Sequence, residues 1–195
     1  MSIFHGWQSF DLAPGSRVLD VGCGNRPFRH ATHLADLRMV RRIDRPFVRC
    51  RLEALPFGDK SFAFVFCSHV LEHVADPARC CAELARVGER GYIECPRSWM
   101  EYAFSTEDHR WMVDYERRML VFREKLPVER GDLFGVQFKI FDWLEEPTFL
   151  LYWNLPAVSR VRNVEVEWRG RIPCAVIPAS RRGMRPWSVT RKPDA

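Results

Sequence analysis

The sequence predicts an α/β fold: a Rossmann-like, doubly wound and mostly parallel sheet, with an antiparallel strand pair at the C-terminal end. Residues 17–24 form a short apolar strand that ends in Gly-Cys-Gly. A glycine-rich turn after the first strand is where doubly wound sheets bind nucleotides. Strand-like and helix-like stretches then alternate as far as Pro96, which indicates parallel strands joined by crossovers. Residues 161–168 alternate at period two, and 172–177 follow after Gly170, which predicts the antiparallel pair.

The elements before Pro96 follow from local patterns. Strands are predicted at 17–21, 31–36, 47–52, 61–67 and 90–95, with a helix at 77–87 and a brief helix beginning at Pro27. Residues 61–67 are a continuous apolar run, typical of a strand buried on both faces. Asp76 and Pro77 suit the N-cap and first position of the helix, and Gly88 suits its end. For the second strand, residues 41–44 are the weaker alternative.

Length and composition predict one soluble domain. The chain has 195 residues, of which 47% are hydrophobic and 28% charged, as in ordinary globular proteins. We expect a single domain over residues 1–180, in which 97–135 form an aromatic, irregular cap over the substrate, and a basic flexible tail over 181–195. No apolar run approaches the roughly 20 residues that span a bilayer, and the start lacks the pattern of a secretory signal. The expected location is the cytoplasm, without membrane contact.

The cysteine and charge patterns indicate the redox state of the thiols and the possible binding partners of the protein. The seven cysteines show no metal-ligand spacing and lie mostly in apolar runs, which predicts reduced thiols that act as small hydrophobes. The net charge is +5, and residues 160–195 hold nine Arg or Lys against three acidic residues. We interpret this end as a solvated basic edge, and a nucleic-acid contact is the less favoured alternative. The oligomeric state does not follow from the sequence.

Three motifs together resemble the class I S-adenosylmethionine (SAM) dependent methyltransferases, within the group called methyltransferase type 11. They are Val-Leu-Asp-Val-Gly-Cys-Gly (18–24), Glu-Ala-Leu-Pro-Phe-Gly-Asp-Lys-Ser-Phe (53–62) and Ser-His-Val-Leu-Glu-His-Val (68–74). The resemblance covers about residues 15–97 and implies a Rossmann-like fold with SAM as cofactor. Some bacterial members also share Pro27 and the later His109-Arg110-Trp111.

The resemblance implies which residues bind SAM. They are Asp20, Gly22, Cys23, Gly24, Asp36, Leu52, Glu53, Cys67 and Ser68. Gly22 and Gly24 allow the backbone to approach the ligand closely. Asp20 is implied beneath the methionine end, and the acid after the second strand is implied at the ribose hydroxyls. We prefer Asp36 to Asp44 for that acid, because 31–36 is the better strand.

Three positions depart from the family pattern. Arg51 stands where an acid commonly accepts a hydrogen bond from the adenine amino group, and a guanidinium cannot accept one. Ala63 replaces another frequent acid, and Arg26 replaces the third glycine of the turn. We therefore keep a non-catalytic, methyltransferase-like binding or scaffold protein as the alternative to an enzyme.

Methyl transfer needs alignment of the acceptor and often a base for its proton. The candidate bases are His69, His73 and His109. The candidate contacts to the acceptor are Tyr102, Arg110 and Trp111. We expect a small-molecule or glycan-type acceptor, methylated at oxygen or nitrogen, with RNA as the alternative. No metal site is predicted, because no third ligand is evident for His69 and His73, and Glu72 lies one place off the metalloprotease spacing.

Overall fold

The computed structural model describes residues 10–40, 43–104, 107–126 and 155–181. Residues 127–135 of the expected cap and 182–195 of the expected tail lie outside these ranges. Among the described helices, none combines the length and apolar character required to cross a membrane. The division into a domain, a cap and a tail stays a prediction.

Nine strands and three helices are described. The strands are β1 (Val18–Val21), β2 (His33–Asp36), β3 (Phe47–Arg49), β4 (Phe64–Ser68), β5 (Arg90–Pro96), β6 (Trp111–Glu116), β7 (Met119–Glu124), β8 (Asn163–Arg169) and β9 (Cys174–Ile177). The helices are α1 (Pro77–Val87), α2 (Ser98–Phe104) and α3 (Pro156–Arg162). Single 3-10 turns occur at Leu52–Ala54 and Ala179–Arg181.

The main sheet has six strands in the order β3-β2-β1-β4-β5-β8. All neighbours are parallel except β8, which runs antiparallel to β5. This confirms the predicted α/β class, with a mostly parallel sheet and an antiparallel pair at its edge. The strand order reverses direction between β1 and β4, so the carboxyl ends of these two strands border the crevice where doubly wound sheets bind ligands.

Helix α1 forms where the sequence predicts it. The Asp76 side chain accepts the backbone N–H of Arg79 at 3.0 Å, and the N–H of Gly88 donates to Leu84 O at 3.0 Å. The helix buries one face against the sheet, through Pro77, Cys80, Cys81, Leu84 and Val87. Capping and apolar spacing therefore agree with tertiary packing here.

The brief helix expected at Pro27 is wrong, because the connection from β1 to β2 runs as turns. Phe28 is fully buried, and its ring stacks on Phe66 at 4.3 Å between centroids. Its backbone N–H donates to Asp20 Oδ2 at 2.7 Å. The hydrogen bond to the Asp20 carboxylate and the burial of the Phe28 ring are incompatible with a helix at this position.

A second sheet, in the order β6-β7-β9, occupies part of the region expected to be irregular. β6 and β7 form an antiparallel hairpin, and β9 pairs in parallel with β7. The expected pairing of 161–168 with 172–177 is therefore wrong in its partners, since β8 pairs with β5. Alternate residues of β8 are buried in the main core, and β9 joins the second sheet, with Cys174 and Val176 packed against the same apolar cluster. The buried set in β8 is Val164, Val166 and Trp168.

Candidate functional site

The glycine turn after β1 is tied to the end of β2 by a carboxylate. The backbone N–H of Gly24 donates to Asp36 Oδ2 at 2.9 Å, and that of Arg38 donates to Oδ1 at 2.8 Å. Asp36 is half-buried at the carboxyl edge of the sheet. A carboxylate has about four acceptor positions, so Asp36 can still accept two further hydrogen bonds.

The two glycines of the turn face different surroundings, although both have a positive φ, +72° at Gly22 and +53° at Gly24. A Cβ on Gly22 would lie 2.2 Å from Cγ2 of Val70, in the segment after β4. A Cβ on Gly24 would meet no atom within 4 Å. The expected close approach to a ligand therefore has room at Gly24, whereas the space beside Gly22 is filled by Val70.

Asp20 is buried beneath this turn, where it accepts the Phe28 N–H. The pKa of its carboxyl group is raised to about 7, mainly by burial and also by the negative charge of Asp36, while the Phe28 hydrogen bond and Arg45 act in the opposite direction. In this structure Asp20 holds the turn in place. Its contact with the methionine end of SAM stays a prediction.

Asp44, the alternative ribose ligand, is already engaged. Both of its oxygens accept from the guanidinium of Arg45 at 2.7 Å, and this pairing holds the pKa of Asp44 below its usual value. Arg45 also donates to Ala31 O at 2.8 Å. Asp36 rather than Asp44 thus ends β2 beside the glycine turn, as the choice of strand predicted.

The residues expected beside adenine lie just after β3. Leu52 is buried and begins a 3-10 turn, so the predicted strand ends earlier than 52. Glu53 is half-buried and its carboxylate lies 3.6 Å from Arg51 Nε. The side chain of Arg51 is 64% exposed. Their contact with adenine stays a prediction.

Three further cofactor candidates are buried. Burial raises the pKa of the Cys23 thiol to about 12, and it raises the pKa of Cys67 strongly. Both thiols are therefore protonated at neutral pH and act as small apolar groups. Ser68, at the carboxyl end of β4, has a buried hydroxyl oxygen without a hydrogen-bond partner among the described residues.

His69 lies between two carboxylates. Its Nδ1 is 3.3 Å from Glu72 Oε1 and its Nε2 is 3.0 Å from Glu94 Oε1. Burial lowers the pKa of His69, but the interactions with Glu72 and Glu94 outweigh it and raise this pKa to about 9. A ring that is already protonated and faces an acid at each nitrogen does not suit the role of a base.

His73 and His109 are brought together from distant parts of the chain. Their rings meet edge to face with centroids 4.6 Å apart. His73 Nδ1 lies 3.0 Å from Asp108 O, and His109 Nδ1 contacts the carboxylate of Glu101. Glu101 also accepts from Nζ of the buried Lys125 at 2.9 Å. Each ring therefore has its Nδ1 engaged, and Nε2 is its remaining ring nitrogen.

The residues expected to contact the acceptor have partners within the protein. Arg110 pairs with Glu124 at 3.0 Å. Trp111 is buried, and its indole N–H donates to Val74 O at 2.7 Å. The side chain of Tyr102 lies outside the described part of the structure. Contact of these residues with an acceptor stays a prediction.

Sequence reasoning missed the buried polar groups behind the histidines. Glu94 accepts from the Tyr92 hydroxyl and from Asn163 Nδ2, each at 2.8 Å. Glu101 and Lys125 form a buried ion pair. The available signal was an acid inside the apolar run of β5, but nothing in the sequence named its partners.

Residues 19–93 match the family model described as a methyltransferase domain. Over these residues the chain is similar to the class I SAM-dependent methyltransferases. A curated relative, the ubiquinone biosynthesis O-methyltransferase of Hahella chejuensis (strain KCTC 2396), is 34% identical over 100 residues. That match covers 40% of this chain and 41% of the relative, so the chain spans about two fifths of the relative's length.

Solved structures of methyltransferases are partly similar. A putative methyltransferase from Bacillus halodurans C-125 is 21% identical, with a TM-score of 0.38 over 45% of this chain and 48% of that one. A SAM-dependent methyltransferase from Mesorhizobium loti is 17% identical, with a TM-score of 0.38 over 57% and 58% of the two chains. These likenesses are too limited to indicate an acceptor for this chain.

Proposed function

We propose that this chain is an enzyme that transfers a methyl group from SAM to a small-molecule or glycan-type acceptor, at an oxygen or nitrogen atom. The observation that carries the proposal is the glycine turn bound to Asp36 at the switch point of the sheet, with open space beside Gly24. The match of residues 19–93 to the methyltransferase domain family supports it. The name of the curated relative favours oxygen over nitrogen.

The described residues offer room at Gly24 and hydrogen-bond acceptors at Asp36 that suit SAM. Asp36 retains acceptor capacity for two ribose hydroxyls, and the missing side chain at Gly24 leaves room for the ligand. Leu52 offers an apolar surface near the end of β3. SAM supplies a methyl group already activated on a sulfonium, so the protein need not form a covalent intermediate. Its task is to align the acceptor and exclude water.

The acceptor lies, in this proposal, above the segment that follows β4. His73 belongs to that segment, and the backbone N–H groups of Arg110 and Trp111 donate to Glu72 O there at 2.7 and 3.1 Å. These hydrogen bonds place His109 beside His73. The free edges of the two imidazoles then provide polar groups toward the acceptor, while His69 stays protonated between its carboxylates.

The alternatives rest on fewer observations. An RNA acceptor depends on the basic tail, and residues 182–195 lie outside the described ranges. A non-catalytic scaffold depends on Arg51 and Ala63 standing where family members often have acids. The exposure of Arg51 weakens this second argument, because an exposed side chain need not contact the adenine.

Calorimetric titration with SAM and with S-adenosylhomocysteine tests the proposal. We expect both to bind, and Asp36→Ala to lose at least about tenfold in affinity, because hydrogen bonds to charged acceptors contribute roughly 1.5–3 kcal/mol. Asp44→Ala is the matched control and should bind as the wild type does. Circular dichroism verifies folding, since Asp36 also holds the Gly24 N–H. A folded wild-type protein that binds neither compound overturns the proposal and favours the scaffold.

A further inference from the structure

Glu72, His73 and His109 present three potential metal ligands to one point. One ligand atom of each residue lies within 4.8 Å of the others, and His73 Nε2 is 4.0 Å from Glu72 Oε1. Glu72 and His73 are adjacent in the segment after β4, whereas His109 precedes β6. The cluster therefore exists only because the second sheet docks on that segment.

Both histidines are oriented as metal-binding histidines are. A carbonyl oxygen can only accept, so Asp108 O fixes the proton of His73 on Nδ1 and leaves Nε2 with a lone pair. The carboxylate of Glu101, itself bound to Lys125, holds the proton of His109 on Nδ1 in the same way. Such partners behind a ligating histidine set its tautomer and its direction.

The third residue is a buried acid whose carboxylate is paired on one side only. Glu72 is fully buried, and neither of its oxygens has a hydrogen-bond partner of good geometry among the described residues, although His69 and the Cys95 thiol are its polar neighbours. The ion pair with His69 at 3.3 Å holds one side of the carboxylate. A buried carboxylate without hydrogen bonds is costly unless it is paired or coordinates a metal.

We propose that Glu72, His73 and His109 bind one divalent cation of the zinc type. Two imidazole nitrogens and one carboxylate oxygen are a ligand set that zinc uses when a coordination position stays open. Tetrahedral ligands at about 2.1 Å from zinc lie about 3.4 Å apart, so small side-chain rotations close the observed cluster. The side chain of His73 is 38% exposed, which gives an ion access from solvent.

The inference does not rest on the proposed methyl transfer. It concerns a site that needs no SAM, and it can be measured with the metal alone. If it holds, the free edges of His73 and His109 are ligands, and an acceptor oxygen would approach the open position of the ion. Spacing along the chain does not suggest this ligand set, because His109 is far from His73 in the sequence.

The test is a titration of the full-length, chelator-treated protein with Co²⁺, followed by visible absorption, and then displacement by Zn²⁺. We expect one Co²⁺ per chain with a spectrum free of thiolate charge-transfer bands. His73→Ala and His109→Ala should each weaken binding by at least about tenfold. Glu101→Gln should weaken it by about 10–100-fold, as loss of a partner behind a ligand does.

His30→Ala is the matched control, because His30 is an exposed histidine bonded to Arg29 and lies outside the cluster. It should bind Co²⁺ as the wild type does. Melting curves identify variants that fail to fold, and the half-buried His109 and exposed His73 are the safer positions to change. Unaltered Co²⁺ binding in a folded His73→Ala/His109→Ala variant overturns the proposal. So does wild-type protein that binds no Co²⁺.

Discussion

Replacing Gly22 by alanine tests the contact between the glycine turn and the segment after β4. The new Cβ would lie 2.2 Å from Cγ2 of Val70, whereas carbon atoms pack at about 3.5–4.0 Å. The backbone at Gly22 also has φ +72°, in the region that costs a residue with a side chain about 1–2 kcal/mol. The substitution therefore combines a steric clash with backbone strain.

The two effects can be separated in magnitude. Overpacking of this kind costs roughly 1–3 kcal/mol, and the loss of chain entropy in the unfolded alanine variant returns about 0.4–1 kcal/mol. We expect Gly22→Ala to lower the free energy of unfolding by about 2–4 kcal/mol in total. For a chain of this size that corresponds to a melting temperature lower by roughly 5–15 °C. Gly24→Ala introduces the backbone strain without the steric clash, so it should lower the free energy of unfolding by only about 1 kcal/mol.

Urea unfolding of four proteins measures the clash directly. They are the wild type, Gly22→Ala, Val70→Ala and the double variant. Because Val70→Ala removes the methyl group that Gly22→Ala would strike, the double variant should recover about 1–3 kcal/mol relative to the sum of the single changes. A Gly22→Ala protein as stable as Gly24→Ala, or a double variant with purely additive losses, would refute this reasoning.

Three other changes have defined outcomes. Arg51→Asp should alter SAM affinity in calorimetry by less than about 0.5 kcal/mol, because the Arg51 side chain is 64% exposed. Asp20→Asn keeps an oxygen acceptor but does not titrate. The Asp20 pKa is about 7 when folded and about 3.9 when unfolded, so the wild type loses stability as pH rises from about 4 to 7. Asp20→Asn should therefore melt above the wild type at pH 8 and level with it near pH 4. Lys125→Met leaves the Glu101 carboxylate without its buried cation and should cost about 3–5 kcal/mol in urea unfolding.

Each of these has a contrary result. Tenfold tighter SAM binding by Arg51→Asp would place residue 51 at the adenine amino group after all. A constant difference in melting temperature between Asp20→Asn and the wild type from pH 4 to 8 would mean that Asp20 titrates normally in the folded state. A Lys125→Met protein of unchanged stability would show that Glu101 is satisfied by other groups.

Local patterns were sufficient for much of the first half of the chain. The caps at Asp76 and Gly88 determined α1, and the apolar runs identified β1, β4 and β5. The end of β2 at Asp36 was predicted correctly, because the pattern of residues 31–36 is that of a strand, and the preference for Asp36 over Asp44 at the ribose stays a prediction. These features depend on residues that are neighbours in the sequence, so they can be predicted from the sequence alone.

The remaining features depend on contacts between distant segments. β8 was visible as an alternating run and β9 as a short strand, but their partners, β5 and β7, lie far away along the chain and were not predicted. Turns occur at Phe28 in place of the expected helix, because its ring stacks on Phe66 and its backbone N–H donates to Asp20.

The sequence by itself determined a Rossmann-like sheet with a glycine turn, since strand periodicity and turn residues are local properties. Contacts between distant segments, which the sequence does not show, place Val70 beside Gly22 and leave the space beside Gly24 open. The tertiary structure also decided that His69 is held between two acids and that His109 joins His73 and Glu72. The charge states and ring orientations at this site depend on side chains that folding brings together from distant segments. Their distances cannot be read from the spacing of residues along the chain.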